Sequence, residues 1–210
     1  MIILVGSKKG GVGKSTIATN IASILISRSN EVVLVDADRQ STSSNWADDR
    51  ENTSNPQLVC IQKYENIKKT LQDLNNKYEY VVVDCHGGDA VELRSGLLVA
   101  DILIVPCQPS QPDIDTIPMM LDIVERVIEI NENLQICCVI TRASTNPNVT
   151  ELSDTRIALK RYKNLRLLDS VLYERKVYRD AISIGYGVVE MDNGKAKDEV
   201  LAMIEEILNG

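Results

Sequence analysis

Phenylalanine is absent from this sequence, and tryptophan and histidine each occur once, as Trp46 and His86. A chain with so few flat rings offers little for stacking unpaired bases, which argues against a single-strand binding platform. One histidine without a cysteine and carboxylate set at ligand spacing argues against a zinc-type centre. No run of eighteen or more apolar residues is present, so no segment reads as a membrane-spanning helix. The first residues lack a basic flank and a small-residue cleavage site, and Met1 leads straight into an apolar run. A cytoplasmic protein is expected. Five cysteines form no CxxC pair. Cys107, Cys137 and Cys138 lie in or beside strand-like apolar runs and read as small buried hydrophobes.

What is present is an α/β pattern. Short apolar runs alternate with helical periodicity along all 210 residues. That alternation predicts a mostly parallel sheet wound on both faces by helices, as one domain over 1–210. Strands are expected at 1–6, 31–35, 58–61, 80–84, 102–105, 134–140 and 165–168. Ile67, Leu71 and Leu74 predict one helix face, and Val200, Leu201, Ile204, Ile207 and Leu208 another. A long helix is expected from Asp113 to about Ile130, with Pro118 as a candidate kink. Residues 48–56 are polar and charged and read as a surface excursion.

The strongest local signal is Lys9–Thr16, KGGVGKST, between the first apolar run and a helix-period segment. Strand, glycine-rich loop and helix N-terminus together predict a P-loop. There, successive N–H groups and the helix dipole cradle phosphates. Gly10, Gly11, Val12, Gly13, Lys14, Ser15 and Thr16 are the candidate nucleotide-binding residues. Lys14 is expected on the β- and γ-phosphates and the Ser15 hydroxyl on Mg2+. Two further apolar strands end in acid, at Asp36-Ala37-Asp38 and at Asp84. Ligands of open α/β sheets sit at the carboxyl ends of strands, so these carboxylates are expected at the same cleft. Asp84 reads as a Walker B-like magnesium residue.

Net charge is −7, yet Arg156–Arg179 holds eight basic residues against Asp169 and Glu174. That segment is +6, leaving −13 for the rest. Such asymmetry predicts a polyanionic partner on one face. Arg175, Lys176 and Arg179 are the favoured contacts.

The lysine before the two glycines makes KGGVGKST resemble the deviant Walker A box of the ParA/MinD ATPases. VDADRQST (Val35–Thr42) resembles that family's second motif, with Arg39 in place of a proline, and CHGG (Cys85–Gly88) fills its switch loop. The resemblance covers nearly the whole chain. YERKVYRDAISIGYGVVE resembles a family segment whose glycine is here Gly185. The size and the absence of an arm before the P-loop resemble the small ParA subgroup of ParF-like plasmid partition and McdA-like carboxysome-positioning proteins. The resemblance implies an ATPase with ATP and Mg2+ as ligands. It implies a catalytic set of Lys9, Lys14 and Asp38. Lys9 reaches the partner's nucleotide in an ATP-bound homodimer, and Asp38 positions the attacking water. Asp36 supports the metal, and Arg142 lies near the adenine. It further implies non-specific DNA binding on the nucleoid and a separate adaptor that stimulates hydrolysis. A MinD-like membrane cycle is the first alternative, but Asp198, Glu199, Glu205 and Glu206 in the last helix would be repelled by anionic lipid. An ATP-dependent ligase of the dethiobiotin synthetase type is the second, and it leaves the basic segment without a role.

Overall fold

A computed structural model describes residues 1–28 and 30–209. The elements run β1 (Ile2–Val5), α1 (Lys14–Ser27), β2 (Val32–Ala37), α2 (Thr42–Glu51), β3 (Val59–Gln62), α3 (Lys68–Asn75) and β4 (Tyr80–Cys85). They continue with α4 (Val91–Leu97), β5 (Ile102–Cys107), α5 (Gln111–Ile114), α6 (Ile117–Ile128), β6 (Gln135–Ala143), α7 (Glu151–Leu159), β7 (Arg166–Tyr173), α8 (Lys176–Ile182) and α9 (Gly194–Asn209). The seven strands form one sheet in the order β3-β2-β4-β1-β5-β6-β7. Every pairing is parallel. The α/β class expected from the alternating pattern is therefore what forms. Two apolar layers sit on the two faces of the sheet. One contains Leu4, Val83 and Leu103, the other Ile3, Val82 and Ile104, as the two-residue strand period requires.

Several boundaries differ from the sequence expectation for identifiable reasons. Pro106 does not stop β5. Ile104 turns its carbonyl to β1, accepting from Gly6 N–H. Pro106, two residues on, faces the same side beyond the last paired residue of β1, so its missing N–H breaks no ladder bond. The single helix expected from Asp113 is two. α5 ends at Ile114, and α6 starts at Ile117 with Pro118 in its first turn, where a proline costs no hydrogen bond.

Residues 48–56 are only partly a surface excursion. Their first half completes α2, and Arg50 is 1% exposed. Its guanidinium donates to Glu190 Oε1 at 2.6 Å, Glu190 Oε2 and the Gly185 carbonyl at 2.9 Å each, and the Pro56 carbonyl at 2.8 Å. Trp46 Nε1 donates to the Tyr186 carbonyl from the previous turn of the same helix. A buried charge is tolerated only when so fully paired. These contacts bolt α2, which follows the Asp38 loop, to residues 185–190.

The basic segment is divided by the fold. Lys160, Arg161 and Lys163 precede β7, and Arg175, Lys176 and Arg179 follow it. Eight strand residues at about 3.3 Å each put roughly 25 Å between the two groups. The contiguous face expected from the sequence does not form, because a strand through the middle of the segment sends its halves to opposite ends of the sheet.

Candidate functional site: a phosphate-binding cleft

β1 is short and fully buried, and the chain leaves it into the loop 6–13 before α1 begins at Lys14. Gly11 and Gly13 have φ of 76° and 96°, the left-handed region that glycine enters without strain. Lys8 stands where the ordinary eight-residue P-loop pattern has its first glycine. The loop is pinned from three sides. Thr141 Oγ1 donates to the Val12 carbonyl at 2.9 Å, Gln108 Nε2 to that of Gly11 at 3.1 Å, and Gly88 N–H to that of Ser7 at 3.0 Å. The cleft above it is about 530 Å³, with Gly10, Lys14, Ser15, Asp38, His86 and Arg142 among its lining.

Lys14 is buried on the cleft floor, with Nζ donating to the Lys9 carbonyl at 3.2 Å. Desolvation lowers its pKa, while the nearby Asp84 and Asp38 carboxylates pull it the other way. A desolvated ammonium beside free N–H groups is a site that an incoming phosphate would satisfy.

Asp84 is completely buried at the end of β4. Its Oδ2 accepts from Ser43 Oγ at 2.7 Å, while Oδ1 has no partner. Burial pushes its pKa up to about 6, against the lowering effect of the Ser15 and Ser43 hydroxyls. An orphaned buried carboxylate oxygen beside Ser15 fits a hydrated magnesium ion, which takes few protein ligands and shares the rest with phosphates and water. Among the described residues no group of three or more His, Cys, Asp or Glu side chains is placed around a common point. Asp36 does other work. Its oxygens accept from Asp38 N–H at 3.0 Å and from Ser44 N–H at 2.8 Å. It therefore shapes the loop and seats α2.

The raised Asp84 pKa has a consequence for stability. The folded state holds this proton more tightly than the unfolded chain does, so stability is lost as pH rises from about 4 to about 6. Above that window the ionised side chain costs about 2–3 kcal/mol. Asp84→Asn is expected to raise the unfolding free energy of the metal-free protein by about that amount at pH 7 and to give no gain at pH 4. Urea unfolding at the two pH values measures it. Equal gains at both would mean that the carboxylate is not strained.

Asp38 lies at the start of the loop after β2. Burial pushes its pKa up, but Gln40 N–H, the His86 ring and Lys14 outweigh this and hold it below the usual carboxylate range. Its Oδ1 accepts from Gln40 N–H at 2.9 Å and lies 3.0 Å from His86 Nδ1. The cleft thus brings together Lys14, Ser15 and Asp38, with Asp84 buried beneath them beside Ser15 and Lys14. Arg142 lies on the cleft wall at φ 51°, 3.6 Å from Glu174, and also lines a smaller hollow beside Gly13 and Thr16.

Lys9 does not line this cleft. Its Nζ is 2.6 Å from Asp113 Oδ2 of its own chain, with Ser110 Oγ on the same oxygen, and the lysine side chain is 41% exposed. Sequence reasoning missed Ser43 and Asp113, which lie 41 and 104 residues from their partners. The polar STSSN run held the Ser43 signal.

The favoured basic contacts are all paired. Arg175 packs over the Tyr173 ring and bonds Glu199 at 2.6 Å, at 21% side-chain exposure. Lys176 pairs with Asp180 at 2.6 Å, and Arg179 with Glu174, at 78% and 64% exposure.

Residues 3–184 match the family model described as the CobQ/CobB/MinD/ParA nucleotide binding domain. The chain is 26% identical over 98% of its length, and 95% of the relative's, to maintenance of carboxysome distribution protein A of Halothiobacillus neapolitanus. Among solved structures, apo McdA of Cyanothece superposes with TM-score 0.80 at 17% identity, covering 98% of each chain. A putative plasmid partition protein of Borrelia burgdorferi, bound to AMPPNP, superposes with TM-score 0.76 at 24% identity over 99% of this chain and 98% of its own.

Proposed function

The chain belongs to the CobQ/CobB/MinD/ParA family of nucleotide-binding ATPases, and on that premise we propose that it is a dimerising ATPase that distributes a large cargo along DNA. ATP binds in the P-loop cleft, with Lys14 on the terminal phosphates and Arg142 at the base end. Ser15 and Asp84 would hold Mg2+, which would supply positive charge against the terminal phosphates. Asp38 orients the attacking water.

Lys9 carries the dimer reading. It sits on a phosphate-binding loop, stays outside its own cleft and is held only by a partly exposed ion pair. The Asp113 side chain is only 3% exposed, so releasing the ammonium uncovers a buried carboxylate that keeps Ser110 Oγ as donor, and the phosphate presented by a second copy must offset that cost. The near full-length similarity to a carboxysome distribution protein supports a cargo-positioning role, with a separate adaptor as the stimulus for hydrolysis. No helix among the described residues is long and apolar enough to cross a membrane, and α9 ends in acidic residues that disfavour anionic lipid.

DNA contact is assigned to Lys176 and Arg179, two exposed cations on the cleft side of the sheet. Their pairs are cheap to exchange for phosphates. Arg175 is held by Glu199 and Tyr173 and serves the fold. One copy presents too few cations for stable binding, and a dimer doubles them.

The test follows size and DNA binding with ATP and with ADP. The ATP-bound protein is expected to elute as a dimer and to bind DNA of any sequence. Binding is expected to fall with salt at a log–log slope of roughly −0.9 per phosphate contacted. Lys9→Ala is expected to bind ATP but remain a monomer that does not bind DNA. Lys176→Ala/Arg179→Ala is expected to dimerise with a shallower slope. Equal DNA binding in ATP and ADP would overturn the proposal.

A further inference from the structure

His86 is the sole histidine of the chain, and it lies on the loop between β4 and α4. That loop is fixed at both ends of the residue. Cys85 is the last residue of β4, and Gly88 N–H bonds the Ser7 carbonyl. Gly87 is tightly placed, since a Cβ there would stand 3.0 Å from both Lys14 Nζ and the Lys9 carbonyl oxygen. The backbone therefore delivers His86 to the rim of the cleft, where Nδ1 meets Asp38 Oδ1 at 3.0 Å. The carboxylate can only accept, so Nδ1 carries the hydrogen. Gln40 N–H takes the same oxygen. Among the described residues no hydrogen bond takes Asp38 Oδ2, and two donors on one oxygen orient the other.

We infer that His86 is a positioning residue for hydrolysis, its Nδ1–H holding the Asp38 carboxylate in the orientation that presents Oδ2 to the attacking water. The inference rests on the reading of Asp38 given above. Phosphoryl transfer to water depends on placing the nucleophile, so the loss of one orienting bond shows in turnover and not in nucleotide affinity.

The histidine side chain is 53% exposed, so its truncation leaves the core intact. Two amide substitutions separate position from bulk. In His86→Asn the side-chain amide nitrogen would stand near the place of the ring Nδ1, and in His86→Gln near that of the ring Nε2. His86→Ala is expected to lower the basal kcat of the purified protein with Mg-ATP about tenfold, in the range for a hydrogen bond to a charged group. Its affinity for ADP is expected to be unchanged. His86→Asn is expected to recover most of the rate and His86→Gln little of it. A second readout needs no turnover. With one histidine, the imidazole nitrogens give a single set of NMR signals. Nucleotide-free protein at about pH 8 is expected to show the Nδ1–H tautomer, and Asp38→Ala the Nε2–H form common for a free ring.

Wild-type turnover in His86→Ala, an Asn variant as slow as the Ala variant, or an Nε2–H tautomer in the wild type would each overturn the inference. Asp38→Ala distinguishes its failure from that of its premise. An inactive Asp38→Ala beside a fully active His86→Ala removes the role of His86 alone. A fully active Asp38→Ala removes both.

Discussion

Asp38→Ala is expected to bind ATP and magnesium as the wild type does and to hydrolyse ATP on the order of a hundredfold more slowly. On the proposed reading the affinity is preserved because Lys14 and the N–H groups of the P-loop would hold the phosphates, Ser15 and Asp84 would hold the metal, and the Asp38 side chain bonds Gln40 N–H and His86 instead. The rate falls because the variant loses the carboxylate that fixes the direction of attack. Asp38 is suited to that task by its low pKa, which keeps it an acceptor at neutral pH and below. It is suited also by the two donors on Oδ1, which keep the side chain from rotating. Residual turnover would come from the charge stabilisation that Lys14, and the metal when bound, would supply. Trapped in its ATP state, the variant is expected to accumulate as the dimer. Size analysis and phosphate release, run on the same sample, measure both effects. Wild-type phosphate release would take Asp38 out of the mechanism. Lost ATP binding would show that it serves the ground state.

What the sequence made legible was local. KGGVGKST, the strand-end acids Asp36, Asp38 and Asp84, and the helix face of Ile67 and Leu71 each lie within one or two elements, and the periodicity of those elements places them. What stayed hidden depends on partners far along the chain. Arg50 reads as a solvated charge in a polar run, because Glu190, which neutralises it, is 140 residues away. Lys176 and Arg179 read as free cations. Their carboxylate partners are close in sequence: Asp180 stands one helical turn after Lys176 within α8, and the turn into α8 brings Glu174 to Arg179. Asp36 reads as a strand-end acid, and nothing local announces that Ser44 N–H, eight residues on, bonds its Oδ2. Charge summed over a segment is a poor guide to charge on a face when a strand runs through the middle of it.

The same long-range bolt makes Gly185→Ala the substitution expected to damage folding most. Gly185 has φ of 72°, which a residue with a Cβ enters at a cost of about 1–2 kcal/mol. The added carbon would also lie 2.5 Å from Arg50 Cα and 2.7 Å from the Asp49 carbonyl carbon. Both neighbours are backbone, so no flexible side chain can swing away. α2 cannot retreat as a body either, because Arg50 is tied to Glu190, Trp46 to Tyr186 and Ser44 to Asp36. Overpacking of this kind adds about 1–3 kcal/mol. The total of about 2–5 kcal/mol is a large share of the 5–15 kcal/mol that holds a typical domain together. Urea unfolding is expected to show an unfolding free energy lower by that amount, with a correspondingly lower midpoint. The damage is expected to reach the cleft, since α2 also carries Ser43 to Asp84. Nucleotide affinity is therefore expected to weaken in Gly185→Ala, although the residue lies outside the phosphate site. A variant with the wild-type midpoint would mean that α2 and residues 185–190 can part without cost. Lowered stability with unchanged nucleotide affinity would mean that Ser43 is held by something other than this bolt.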